Sequence, residues 1–458
     1  MIEIDVLPDE VLLGVFDFYV GMSPSYEEGE TEAWRSLVHV CRRWRSLVLE
    51  SPRRLNLRLV CTPKTAAKDT LNVWRAWPLI VTGDITFSSA AGKDNVIAAL
   101  GQSNRIYKVN LHGLADWQLE EVLAAMQASF PELTELRFSS CAKTPPVIHD
   151  SFLNGSAPRL RSLELDEIPF PGLPKLLLSA THLVHLVLSD IPHSGYISPE
   201  AMVDVLCALS SLEKLILEFP SPQSRPDLES RSPPPPKLSI LPALDDFHFK
   251  GGTEYLEDLV TRIDAPQLKT LGIMLFNRFD FDTPQLSQFI IRTPKLGRRD
   301  AHVRFDYWGI SIALQAHSGT FKIEILCRDP DLKLWSVTQF CNSSLPPLST
   351  VKDLYIEREY SELVWKNDAI KNTRWLELLL PFTAVKSLYI SKEFAPGIAP
   401  ALQELVGARI AEVLPNLQNI FVEGLEPWGS FQETIGQFAD ARRRSGHPIA
   451  ISVWSDLE

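Results

Sequence analysis

Apolar residues recur along this chain in a short pattern: one, two variable positions, a second, one variable position, a third. Leu133-Thr-Glu-Leu136-Arg-Phe138, Leu160-Arg-Ser-Leu163-Glu-Leu165, Leu183-Val-His-Leu186-Val-Leu188 and Leu212-Glu-Lys-Leu215-Ile-Leu217 show it. So do Leu244-Asp-Asp-Phe247-His-Phe249, Leu268-Lys-Thr-Leu271-Gly-Ile273 and, earlier, Ile106-Tyr-Lys-Val109-Asn-Leu111. Late copies are Val351-Lys-Asp-Leu354-Tyr-Ile356, Val385-Lys-Ser-Leu388-Tyr-Ile390 and Leu417-Gln-Asn-Ile420-Phe-Val422. The second half of each copy alternates apolar and variable positions, the period of a half-buried strand. The interval from 268 to 351 has room for two degraded copies, near Leu296 and Phe321. A proline stands two residues before the first apolar position at Pro131, Pro158, Pro242, Pro266, Pro294 and Pro415. Such a proline ends a preceding helix and launches a strand.

Helix-like runs lie between the strands. Ser198-Pro199-Glu200 reads as a cap with Pro in the first turn, Thr283-Pro284 opens another helix, and Ser430-Phe-Gln-Glu433 reads as a capping box. Thr65 to Trp77 and then Pro78-Leu79-Ile80-Val81 predict a helix followed by a strand, and Ile449 to Trp454 predicts a closing strand over the sheet edge. Strand, turn, helix and turn at ~28 residues predict an α/β solenoid, with a curved parallel sheet inside and helices outside.

The first fifty-odd residues follow a different period. Leu7, Val11, Leu12, Val15, Phe16 and Tyr19 share one helical face behind Pro8, Asp9 and Glu10, and Gly21 and Pro24 end the run. Trp34, Leu37, Val38, Cys41, Trp44, Leu47 and Val48 form a second stripe, broken by Ser51-Pro52. Two helices this apolar present more hydrophobic surface than so short a module hides, which predicts a docking element.

Composition narrows the picture. The chain has 458 residues, 45% of them hydrophobic and 22% charged, so it is a folding chain too long for one globular core. The net charge of −12 argues against nucleic acid as a partner. Trp34 to Arg58 runs against this, with seven arginines and one acid, a local charge of +6, which fits an acidic partner for this module. The six cysteines have no C-x-x-C spacing, so neither a zinc site nor a disulfide framework is expected. Reduced thiols, no basic leader and no long apolar run point to the cytosol or nucleus and away from a membrane.

Leu7-Pro8-Asp9-Glu10-Val11-Leu12-Leu13-Gly14-Val15-Phe16 and Val40-Cys41-Arg42-Arg43-Trp44 resemble the two halves of the F-box, L-P-x-E-[VIL]-L-x-x-[IV]-F and V-C-[KR]-x-W. The loop from Gly21 to Ala33 is longer than that pattern has, and Leu55 stands where a second Trp often follows the Ser-Pro. The copies resemble leucine-rich repeats, Leu133 to Cys141 most closely, although the Asn/Cys turn position is mostly replaced (Ile168, Ile191, Gly252, Glu359). The combination resembles fungal F-box/leucine-rich-repeat proteins. The resemblance implies an F-box at 1–60, an irregular repeat array at 61–426 with a Pro-rich loop at 220–242, and a capping helix and strand at 427–458. It also implies that Leu7, Pro8, Glu10, Val11, Leu12, Val15, Phe16, Val40, Cys41 and Trp44 lie at or just under an interface with a Skp-family adaptor. Through that adaptor the chain would join a cullin-RING ubiquitin ligase as its substrate receptor.

In the late copies the middle variable position holds Tyr355, Tyr389 and Phe421, flanked by Asp353, Glu357 and Glu423. Aromatics with a charged rim suit recognition of a protein target that carries basic and apolar residues. G-x-S-x-G, H-E-x-x-H and the phosphate loop motif are absent, so no catalysis, cofactor or metal is expected. The same plan would serve a scaffold that binds the adaptor without building a ligase. An enzyme on a solenoid frame would need titratable groups converging in a pocket.

Overall fold

The structure, a computed structural model, describes residues 7–21, 33–52, 54–55, 57–73, 77–84, 90–221, 238–276, 283–297, 299–327, 329–343, 345, 348–359, 371–405, 409, 412–424 and 429–454. The chain packs as two compact units, Met1–Leu183 and Val184–Glu458. Most of the Pro-rich segment, 222–237, lies outside the described residues.

The first unit opens with helices α1 (Asp9–Gly21), α2 (Ala33–Val38) and α3 (Arg42–Glu50). Five parallel strands follow in chain order: β1 (Leu59–Cys61), β2 (Leu79–Asp84), β3 (Ile106–Leu114), β4 (Glu135–Ser140) and β5 (Ser162–Asp166). The sequence pattern anticipates β2 to β5. It misses β1, which is too short to display a period. The helix read over Thr65 to Trp77 forms as Ala67–Val73.

The second unit holds β6 (His185–Ser189), β7 (Lys214–Glu218), β8 (Ser239–Ile240), β9 (Asp246–Gly251), β10 (Ile263–Asp264), β11 (Thr270–Phe276) and β12 (Asp300–Phe305). It continues with β13 (Gly309–Ala316), β14 (Gly319–Leu326), β15 (Asp353–Arg358), β16 (Ser387–Ile390), β17 (Asn419–Glu423) and β18 (Ala450–Trp454). Its main sheet runs β6-β7-β9-β11-β14-β13-β12-β15-β16-β17-β18, while β8 and β10 form a separate parallel pair. The mostly parallel sheets alternating with helices agree with a repeat array.

One hydrogen bond recurs at the start of nearly every copy. The backbone N–H of Leu133 donates to Phe130 O, Leu160 to Ala157, Leu183 to Ala180, Leu212 to Leu209, Leu268 to Ala265 and Leu417 to Leu414, all at 3.0–3.2 Å. Each is a β-turn, and Pro131, Pro158, Pro266 and Pro415 stand at its second position, where a φ fixed near −65° suits the turn. Copies with Thr181 or Ser210 there make the same bond, so the proline favours the turn without being required. The next residues tie each copy to the one before it: Arg161 N to Thr134 O, Glu213 N to Val184 O, Lys386 N to Lys352 O and Gln418 N to Lys386 O, at 2.7–2.8 Å.

From there the strands pair in register. In the late copies Leu354, Leu388, Ile420 and Ile451 stand side by side, as do Tyr355, Tyr389, Phe421 and Ser452. Leu354, Leu388 and Ile420 are buried, Ile451 on the last strand is half-buried, and the intervening positions are half-buried or exposed. Alternation is how a parallel sheet covered on one face differs from one covered on both, where strands become continuously apolar.

The degraded copies are built differently from the expectation. β12 and β14 do take parallel places, but in reversed order: β14 pairs with β11 and β12 pairs with β15. Between them runs β13, antiparallel to both. Its run Ile310-Ser-Ile-Ala-Leu314 is buried on both faces, so it reads as a continuous apolar strand and not as a repeat copy. Two tight turns leave no room for a helix, and chain order inverts.

Two helix starts also differ. Thr283 precedes the helix Pro284–Arg292, but its side chain makes no cap bond; Glu257 on the helix Thr253–Val260 receives Gln285 N (3.0 Å) and Leu286 N (2.8 Å) instead. Ser430 falls inside the helix Gly429–Arg444 and so does not stand ahead of it as a cap. Ser198, by contrast, caps Pro199–Ala208 through Ala201 N at 3.2 Å. Buried Arg442 reaches the carbonyls of Leu414, Pro415 and Leu417 at 3.2–3.4 Å, and buried Lys333 donates to Asp306 O at 2.6 Å. Long cations thus serve turn carbonyls that the sheet leaves over.

Gly319 opens β14 where a Cβ would be driven into the carbonyl oxygens of Lys269 and Lys295. Backbone cannot yield as a side chain does. The variant Gly319→Ala is expected to lose ~1–3 kcal/mol, read as a lower urea midpoint with an unchanged slope.

Candidate protein-docking surfaces

In the helical module, α1 is apolar on two faces, and packing consumes only one. Leu12, Leu13 and Phe16 are buried with Trp34, Leu37, Val48, Leu55, Leu57 and Trp77. Phe16 meets the Trp44 ring at 4.7 Å, and Trp34 meets Trp77 edge-on at 4.6 Å, which joins the helices to the first strands. Arg43 of α3 clamps the start of α1, donating to Leu7 O at 2.6 Å and to Asp9 Oδ1 at 2.5 Å. Cys41 caps α3 by accepting from Trp44 N at 3.4 Å, and Arg45 Nε donates to Val38 O at 2.8 Å at the end of α2.

The other face of α1 is left outward. Val11, Val15 and Phe18 recur at i, i+4 and i+7 and are 46%, 51% and 71% exposed, with Tyr19 beside them. Val40, in the turn between α2 and α3, is 59% exposed. The ten residues that the F-box pattern singles out therefore divide. Pro8, Glu10, Val11, Val15 and Val40 are exposed; Leu7, Cys41 and Trp44 are half-buried; Leu12 and Phe16 are core and can shape a docking face only from beneath. Phe18 and Tyr19 complete the stripe. Phe18 was missed because it lies off the single face counted from Leu7, although its i+7 spacing from Val11 was available.

Four of the seven arginines behind the local +6 charge make contacts inside the module or with the first strands. Arg43 and Arg45 hold helix ends, Arg54 Nη2 donates to Glu10 O at 3.5 Å, and the Arg58 guanidinium lies 3.5 Å from the centre of the Tyr107 ring. Of these four, Arg43 also meets a carboxylate, that of Asp9, while the others meet carbonyl oxygens or a ring and keep their charge.

In the second unit the late strands set their middle variable residues into one ladder. His302 of β12 stacks on Tyr355 (4.3 Å, 5°), Tyr355 on Tyr389 (4.2 Å, 8°) and Tyr389 on Phe421 (4.6 Å, 10°). Parallel register makes this possible, because it repeats each side-chain position at about the 4.8 Å strand spacing. Trp454 of β18 meets Tyr355 and Tyr389 edge-to-face at 6.2 and 5.7 Å, so the closing strand lies partly across the row. His302 and Trp454 escaped the sequence reading, the first because its copy had lost the repeat frame and the second because the last strand was not aligned with the others.

Carboxylates flank the ladder along the strands. Glu357 lies 3.2 Å from His302 Nδ1 and 3.0 Å from Arg304 Nε. Burial opposes its charge, but the His302 and Arg304 hydrogen bonds and charges win, and its pKa falls below the ordinary value. Asp353 stands beside Asp300 across the β12–β15 register and has no cation against it among the described residues. Among the described residues Asp300 has Arg299 Nε at 3.8 Å as its ion-pair partner, with His302 and His317 nearby. Burial, then the Asp353 charge, raises its pKa. Glu423 accepts from Lys392 backbone N at 3.4 Å. Among the described residues no group of three or more His, Cys, Asp or Glu is placed to hold a metal ion.

Phe16→Ala is expected to cost ~3–5 kcal/mol of stability, whereas Val15→Ser with Phe18→Ser should change it by under ~0.5 kcal/mol per site. Chemical denaturation separates them. The two carboxylates carry opposite signs. Glu357 has a depressed pKa, so its stabilising contribution is present at neutral pH and is lost as pH falls below its ordinary 4.5. Asp300 has a raised pKa, so its charge costs stability above its ordinary 3.8. Glu357→Gln should thus be less stable than the parent at pH 7, with the gap closing in acid, and Asp300→Asn more stable at pH 7.

No family model matches the sequence, and no curated protein matches it. Among solved structures it is similar to a chain in the crystal structure of the Rad7 and Elc1 complex in yeast, at 11% identity over 91% of this chain and 88% of that one, with a TM-score of 0.27. At that score the likeness carries no argument about function.

Proposed function

We propose that this chain is a substrate-recognition subunit of a Skp–cullin–F-box type ubiquitin ligase, working in the cytosol or nucleus. The α1 helix module docks a Skp-family adaptor and the sheet face of the second unit holds a protein target. The observation that carries the reading is the unburied stripe Val11, Val15, Phe18 on a helix introduced by Leu7-Pro8-Asp9-Glu10, whose opposite face is already packed. Apolar residues spaced on one helical face and left outward mark a partner's place.

The chain itself performs no chemistry in this reading. Ubiquitin passes through partner subunits, and the contribution here is proximity: a target held beside the transferring enzyme reacts at a raised effective concentration. The packing also selects the right probes. Truncating Phe16, Leu12 or Trp44 would loosen the module itself, whereas Val15 and Phe18 report on docking alone.

Affinity-tagged full-length protein should capture a Skp-family adaptor, and Val15→Asp with Phe18→Asp should weaken that capture by ~30-fold or more, as loss of buried anchors does. The circular dichroism melt of the variant should match the parent. Undiminished capture by the variant would sink the docking assignment. A cullin that co-purifies with the parent, and is lost in the variant, supports the ligase; adaptor without cullin identifies a scaffold acting outside one.

A further inference from the structure

The ladder in the second unit ends abruptly. Each ring from His302 to Tyr389 stacks against the ring of the next strand, but after Phe421 the next place in the register belongs to Ser452. Ser452 is exposed, and so is Ala450 two residues earlier on the same face of the edge strand. With a hydroxymethyl group in that place, no ring among the described residues stacks on the Ser452 side of Phe421, which is itself partly exposed. Glu423 stands two residues further along β17 on that same face, and Trp454 lies opposite it in register. Asp353 and Asp300, with Arg299 Nε as the cation nearest Asp300, stand at the starts of β15 and β12, two and three strands away from β17 in the sheet.

We propose that this vacancy receives an arginine side chain from a basic segment of the protein target. The guanidinium stacks on the open face of Phe421 over Ser452, with Glu423 meeting its charge, and a further cation of the segment meets Asp353 and Asp300. An aromatic face attracts a cation, and a planar guanidinium stacks where a hydrated ammonium does so less well. The charge balance selects the occupant. Glu357 is already neutralised by Arg304 and His302, while Asp300, Asp353 and Glu423 leave an excess of negative charge that an acidic segment would meet with repulsion.

This inference rests on the sheet face being the target face, and its test needs no adaptor. A fluorescein-labelled decapeptide of alternating arginine and leucine is titrated into the full-length protein and followed by fluorescence anisotropy. Its glutamate counterpart and the variant Ser452→Phe serve as comparisons. The substitution adds one more ring to the ladder and changes no charge. It should weaken arginine peptide binding roughly tenfold, with a melting temperature equal to or above the parent's. Phe421→Leu, which removes the ring and keeps an apolar residue, should weaken binding similarly and serves if Ser452→Phe fails to fold. Glu423→Gln should weaken binding and flatten its salt dependence. Equal binding by parent and Ser452→Phe, or glutamate peptide binding as tight as the arginine peptide's, overturns the proposal. Failure here with adaptor capture intact leaves the docking assignment standing, and loss of capture with peptide binding intact leaves this one.

Discussion

A strand of this chain cannot bury its leucines alone, and every other feature follows from that constraint. One copy offers two or three apolar side chains and a row of backbone donors and acceptors that must find partners. Pairing in register with the neighbouring strand satisfies the backbone, while the helices cover the leucines. The β-turn before each strand sets the phase: the N–H of the first apolar residue bonds to the carbonyl three residues earlier, and the following residues bond back to the previous copy. Phase errors would turn every leucine outward, since side chains alternate strictly along a strand.

The same constraint explains how the departures are tolerated. β13 enters antiparallel, yet its neighbours still present Phe321, Ile323 and Ile325 in register with Leu271, Ile273 and Leu275. Leu354 and Ile356 likewise stand beside Ala301 and Val303. The buried row therefore continues through the inversion. Where turns leave carbonyls over, Arg442 and Lys333 reach in and supply donors. Arg442 serves the turn ahead of β17, and Lys333 the turn after β12.

Register also gives the open sheet face its character. What packs the leucines on one side aligns the alternate residues on the other, so Tyr355, Tyr389 and Phe421 become a continuous stack without any further device. The stack extends as far as rings are supplied, to His302 on one side and Phe421 on the other, and Ser452 ends it. The charged groups divide along the same lines. Glu357 is held by His302 and Arg304, whereas burial and the neighbouring charge of Asp353 make the ionisation of Asp300 unfavourable.

Local pattern alone was enough to place β2 to β7, β9, β11 and β15 to β18, and to bring Tyr355, Tyr389 and Phe421 onto one face. Period-2 alternation and proline-started turns are properties of neighbouring residues, so they are written in the chain order. The resemblance of α1 and α3 to a docking module was legible for the same reason. Which residues of that module face outward was not: Leu12 and Val15 look alike in sequence, and only packing against Trp34, Leu37 and Val48 buries one and leaves the other exposed. That Arg43, Arg45 and Arg58 reach Leu7 O, Val38 O and the Tyr107 ring was not legible either, because those partners come within reach only through tertiary contact. The inverted order of β12 to β14 and the places of His302 and Trp454 depend on which strands pair. Pairing joins residues tens of positions apart, and its energy resides in contacts between segments that no local pattern contains.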